Sequence, residues 1–175
     1  MNVTFDWNEW FFILSSCLAF LLFLPIRKYF SPVMVTIIWV YNIALVSTID
    51  YFLLATPFKL YIFGDNLSYE LSGALFHLFM YPIASLLFLF VYDKWKLYGT
   101  KTFWYILFWT GFAVLFEWVC VKNHALTYTG WKLYYSIPTY PIAAFMLIFL
   151  FRFTKKELQV LKAPPKYTPP EAPES

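Results

Sequence analysis

Apolar residues fall in five blocks, at about 7–25, 32–54, 71–92, 103–121 and 137–153, separated by short polar stretches. Each block is close to the roughly 20 residues that an α-helix needs to cross a bilayer core of about 30 Å. The separators carry turn and charge signals: Pro25 with Arg27 and Lys28; Gly64, Asp65 and Asn66; Asp93 to Lys101 around Gly99; and Asn123 to Gly130. All four are short, so neighbouring blocks should run antiparallel. The expected fold is all-α and integral to the membrane, a bundle of five transmembrane helices forming one domain over 1–153. Residues 154–175 follow as a short helical extension, TKKELQVLK, and a Pro-rich tail with too few apolar residues to fold.

Composition agrees with that pattern. The chain is 61% hydrophobic, 25% aromatic and only 13% charged, which excludes an ordinary soluble domain. Its 14 Tyr and 8 Trp suit the interfacial belts where amphipathic rings sit among headgroups. The start, MNVTFDWNEW, has two acids and no Lys or Arg, unlike a cleavable signal peptide, so the first span is expected to remain. Cys17 and Cys120 lie alone inside apolar blocks, without metal-ligand spacing, and read as small core residues.

Charge orients the bundle. With the N-terminus outside, the cytoplasmic segments hold Arg27, Lys28, Lys94, Lys96, Lys101, Arg152, Lys155, Lys156, Lys162 and Lys166. The outer segments hold only Lys59, Lys122 and Lys132. The positive-inside rule therefore predicts the N-terminus outside and the C-terminus in the cytoplasm. These basic residues are spread out and explained by topology, so no nucleic-acid partner is expected.

Three ionisable residues interrupt the blocks, and such groups usually face the bundle or a wet cavity. At 1.5 Å rise per residue, Asp50 lies roughly 6 Å below the outer end of its block, His77 roughly 9 Å and Glu117 roughly 6 Å. Three helices thus bring their internal ionisable groups to one depth, and Asp50, His77 and Glu117 are the candidate polar cluster. A nearby aromatic segment, GWKLYYSIPTYP, supplies a candidate lid in Trp131, Tyr134, Tyr135 and Tyr140. The leading reading of that segment is a membrane-surface belt, and the lid is its alternative. No HxxxH, ExxH or CxxC spacing supports a metal site, and no cofactor is implied.

The third and fifth blocks share Tyr-Pro-Ile-Ala, at Tyr81 and at Tyr140. Each follows an outward block with an acid near its outer end, Asp50-Tyr51 or Glu117-Trp118. This suggests two tandem hairpins related as a parallel repeat. Pro82 should kink its helix, whereas Pro138 and Pro141 should mark a helix start.

The combination FEW, YTGWKLYYSIPTY and LFRF resembles an uncharacterised family of small multi-pass membrane proteins from spore-forming bacteria. The matching residues are Glu117-Trp118, Gly130-Trp131, Tyr135-Ser136, Pro138 and Tyr140, with Asp50 and Tyr81-Pro82 earlier in the chain. The resemblance implies a bacterial cell-membrane protein and no particular activity.

Three roles follow. The leading expectation is a non-enzymatic protein that acts in the bilayer by assembly with a membrane-protein partner or a second copy. The alternative is a binder or transporter of a small solute or ion at the polar cluster. A lesser alternative is an intramembrane enzyme acting on a lipid or polyene. No nucleophile with its base, no phosphate loop and no close carboxylate pair on one helix is evident.

Overall fold

The computed structural model describes residues 7–55, 57–63 and 76–162. The turn expected at 64–66, the first residues of the third block and the tail beyond 162 lie outside the described residues. Five α-helices follow one another: α1 (Trp7–Phe23), α2 (Pro32–Asp50), α3 (Tyr81–Lys94), α4 (Thr100–Lys122) and α5 (Leu133–Lys162). Among the described residues, four helical segments are long and apolar enough to cross a membrane: Pro32–Leu53, Phe76–Lys94, Thr100–Lys122 and Leu133–Leu161. With 17 residues, α1 is shorter.

Local chemistry sets several boundaries. Ser31 caps α2, its hydroxyl accepting the Met34 N–H at 3.2 Å, and Pro32 occupies the first turn where its missing N–H is harmless. Gly99, at φ +63°, makes the left-handed entry to α4. The last turn of α2 widens into a π-helical turn, Tyr51–Ala55, and a second such turn, Phe76–Met80, leads into α3. Pro82 therefore sits just past a π-to-α junction rather than at a simple kink. Such insertions are common at functional sites, because the extra residue redirects side chains.

Two departures from the sequence reading concern α5 and the connections. Pro138 and Pro141 do not start α5, which begins at Leu133 and runs without interruption to Lys162. Both prolines fall in its second and third turns, where each removes one backbone N–H from the helix ladder. Two three-residue strands were not expected: β1 (Tyr61–Phe63) pairs antiparallel with β2 (Leu126–Tyr128), with Tyr61 opposite Tyr128. This ribbon joins the connection after α2 to the connection after α4. Beside it, the Leu60 carbonyl receives the N–H groups of Thr129, Gly130 and Trp131 at 2.8–2.9 Å. A Cβ on Gly130 would lie 3.0 Å from the Leu60 side chain, so glycine permits this approach.

The closest helix pairings are α2 with α3 and α4 with α5, the two hairpins suggested by the sequence. Their main core holds Ile38, Ile83, Leu86, Phe88, Leu89 and Tyr92. Buried Asn42 binds the Ile38 carbonyl at 2.7 Å and accepts from Ser85 at 2.7 Å, a polar link between α2 and α3. Helix α1 lies along the bundle: Phe12 packs on Phe76 near one end, and Phe23 reaches Trp39 further along. Cys120 is buried, but Cys17 is exposed on α1 and is not a core residue. The outer face of the bundle is apolar, with Phe108 72% and Phe149 73% exposed.

Opposite ends of the bundle differ in chemistry. Asp50 and Glu117 mark one, the acid end. At the other, Asp93 accepts from Tyr29 at 2.7 Å and from Lys155 at 2.6 and 2.7 Å. Arg152 lies against the rings of Tyr92 and Tyr98, 5.5 and 5.2 Å from their centres. Asp93 thus ties the turn after α1 to α3 and α5. Burial, then the bond to Asp93 and its charge, push the Tyr29 phenol up from 10.0 to about 12. The fold therefore favours the neutral phenol. Its contribution is complete below pH 10 and is lost as pH rises toward 12. Replacing Tyr29 by Phe should flatten the alkaline loss of stability in that window, read by thermal unfolding in detergent. Asp93→Ala should cost about 1–3 kcal/mol, and a variant that melts with the wild type would remove Asp93 from this role.

Candidate functional site

Glu117 projects from α4 between that helix and α5 and is only 8% exposed. It faces the bundle. Three hydroxyls converge on its carboxylate: Tyr128 from β2 at 2.6 Å and Ser136 at 2.8 Å on Oε1, and Tyr140 at 2.7 Å on Oε2. Ser136 and Tyr140 lie one helical turn apart on α5 and so address the same neighbour. Trp131 completes the shell, its Nε1 donating to the Ser136 hydroxyl at 3.0 Å. No Lys, Arg or His pairs with Glu117 among the described residues.

Asp50 ends α2 with a different set of partners. Tyr61 of β1 donates to its Oδ1 at 2.5 Å, and His77 of the second π turn lies with Nε2 2.8 Å from its Oδ2. The His77 ring packs on Phe63 and Tyr81, with centres 5.1 and 5.9 Å away. Burial and then the Asp50 charge raise the Tyr61 phenol far above its ordinary value, with Tyr81 and Glu117 adding. Burial and then Glu117 raise that of Tyr128 in the same direction. Both phenols remain neutral donors.

The two acids follow one plan. Each bonds a tyrosine eleven residues further on, Tyr61 or Tyr128. Those tyrosines face each other across the ribbon. Each acid also meets a residue placed four before a Tyr-Pro pair, His77 before Tyr81 and Ser136 before Tyr140. These correspondences are bonding relations, and they extend the two-hairpin repeat well beyond the shared Tyr-Pro-Ile-Ala.

A cavity of about 160 Å³ lies between the halves. Tyr61, Phe63, Phe76, Tyr81 and Phe116 line one part of it, and Glu117, Cys120, Trp131, Ser136 and Tyr140 line another. Asp50 and His77 form a direct pair outside this lining, while Glu117 stands at the wall. The polar cluster is therefore two adjacent half-sites rather than one three-residue site. Of the four aromatic lid residues, Trp131 and Tyr140 reach the cavity. Tyr134 and Tyr135 pack against each other with their rings tilted by 57°, and are 54% and 43% exposed. No three His, Cys, Asp or Glu side chains gather as a metal set among the described residues.

Sequence reasoning missed Tyr61, Tyr128 and Ser136. The eleven-residue spacing from each acid was the available signal for the two tyrosines. Alignment of the two Tyr-Pro pairs would have placed Ser136 opposite His77. Comparison with family models, curated proteins and solved structures returns no match.

Removing the carboxylate leaves three donors unpaired in a buried place, at about 1–3 kcal/mol for each unsatisfied group. Glu117→Ala should therefore unfold at markedly lower temperature than Glu117→Gln, whose amide oxygen still accepts. Equal melting of the two variants would show that the hydroxyl shell contributes little to stability.

Proposed function

We propose that the chain is a multi-pass membrane protein that binds a small cationic solute beside Glu117. All five helices cross the bilayer in this reading, with the N-terminus outside and the C-terminus in the cytoplasm of a bacterial cell. The acid end then faces outward. The apolar outer face and the Arg and Lys residues gathered at the opposite end support that arrangement.

One observation carries the binding role. Glu117 is a buried carboxylate held by neutral hydroxyls, without a basic partner among the described residues, at the wall of an aromatic cavity. An ionised carboxylate away from water is costly unless paired. Hydroxyl donors solvate it in part, and a cation in the cavity would complete the pairing. Aromatic faces attract such a cation through their quadrupoles. Hard metal ions prefer six or more oxygen ligands, which one carboxylate among rings does not provide. An organic cation suits the wall better.

A cavity near 150 Å³ holds a molecule about the size of benzene, so the expected solute has only a few heavy atoms. Assembly with a membrane-protein partner or a second copy would require neither the cavity nor the buried acid, which favours binding as the main role.

The test is thermal stabilisation of the detergent-purified protein by methylammonium, imidazolium and tetramethylammonium chlorides at constant ionic strength. A ligand at 100 times its Kd adds about 2.7 kcal/mol. At least one of these cations should raise the wild-type melting temperature, and Glu117→Gln should abolish the rise. Failure of all three would refute cation binding. For orientation, a reporter active only in the cytoplasm should work when fused after Ser175 and be silent when fused ahead of Met1; the reverse pattern would overturn the topology.

A further inference from the structure

The two half-sites share an acid bonded to a strand tyrosine but differ at the position four residues before the Tyr-Pro pair, and that difference indicates what the cavity takes. In the first, His77 places a ring nitrogen 2.8 Å from Asp50, with aromatic rings on its flanks. In the second, the equivalent position holds Ser136, a smaller side chain that brings a hydroxyl where the first brings a ring nitrogen. Beside it lies the cavity. The second half-site thus has the carboxylate and the strand tyrosine of the first, adds a bond from Tyr140, and borders a cavity where the first has an imidazole.

The acceptor count points the same way. An ionised carboxylate offers about four lone-pair positions. Tyr128 and Ser136 use both on Glu117 Oε1, whereas among the described residues Oε2 receives only Tyr140. One acceptor position on Oε2 remains for a donor from the cavity. A quaternary ammonium has no N–H to give it.

Resting on the cation-binding reading above, we propose that the cavity ligand is a protonated nitrogen compound that donates an N–H to Glu117 Oε2, with a flat imidazolium-sized ring as the best-fitting class. The free ligand then does in the second half-site what the His77 side chain does in the first. The hydrogen bond gives it orientation, and the rings of the cavity wall cover its faces. Charge-assisted N–H bonds to carboxylates are roughly twice as strong as neutral ones, so selection should rest on the N–H and not on charge alone.

The test compares imidazolium chloride with tetramethylammonium chloride by isothermal titration calorimetry, on the wild-type protein in detergent at pH 6, where imidazole is protonated. Imidazolium should bind at least 10-fold tighter. Equal or tighter binding of tetramethylammonium would overturn the N–H class while leaving cation binding intact; silence of both with methylammonium still bound would overturn the imidazolium-sized ring alone, and silence of all three would remove both readings. The Ser136→His variant supplies an internal imidazole at the second half-site and should lose at least 10-fold in imidazolium affinity. Undiminished affinity in a folded Ser136→His protein would count against the equivalence of His77 and the ligand. If that variant does not fold, the wild-type comparison decides alone.

Discussion

A carboxylate placed between packed helices must be solvated by the protein itself, and that requirement at Glu117 organises the acid end. Water can hydrate an exposed glutamate from any direction, but a buried one needs donors brought from specific elements. Here they come from β2 and from two successive turns of α5. Meeting them fixes how α5 lies against α4 and where the strand after α4 must pass. Trp131 is then held by its bond to Ser136 rather than left as a general surface aromatic. The segment that first reads as a membrane-interface belt is, for half of its rings, the lining of this carboxylate.

The helical plan was legible because it depends on long apolar blocks and on short polar separators, both written locally in the chain. Block boundaries matched well where a cap or a charge marks them, as at Ser31-Pro32 and at Lys122. They fail at Pro138 and Pro141, because proline's preference for a helix start does not keep it out of later turns, and α5 already begins at Leu133. The strands were invisible for a different reason. Three residues carry almost no periodicity, and a two-stranded ribbon has little stability of its own, so β1 and β2 exist only because the helices bring them together.

The polar site was legible by halves for the same reason. Ionisable residues in apolar blocks announce themselves, and Asp50, His77 and Glu117 could be found without any geometry. Tyrosines do not announce themselves in a chain that has 14 of them. Tyr61 and Tyr128 became identifiable only by their bonds, after which the spacing from each acid is plain in the sequence. Cys17 shows the converse: an isolated apolar-type residue in an apolar block says nothing about which face of the helix it occupies, and it lies on the outer one.

The register of the small ribbon makes the two acids behave as one unit. Tyr61 and Tyr128 stand directly opposite each other, so their side chains leave the same face of the ladder. A slip of one residue in either strand would turn its tyrosine to the other face. Because each strand holds the other in place, the slip would withdraw a phenol from one acid and disturb the strand that serves the second. Loss of solvation at Asp50 and at Glu117 is thereby joined mechanically, without any bond between the two carboxylates, and the halves of the site stand or fail together.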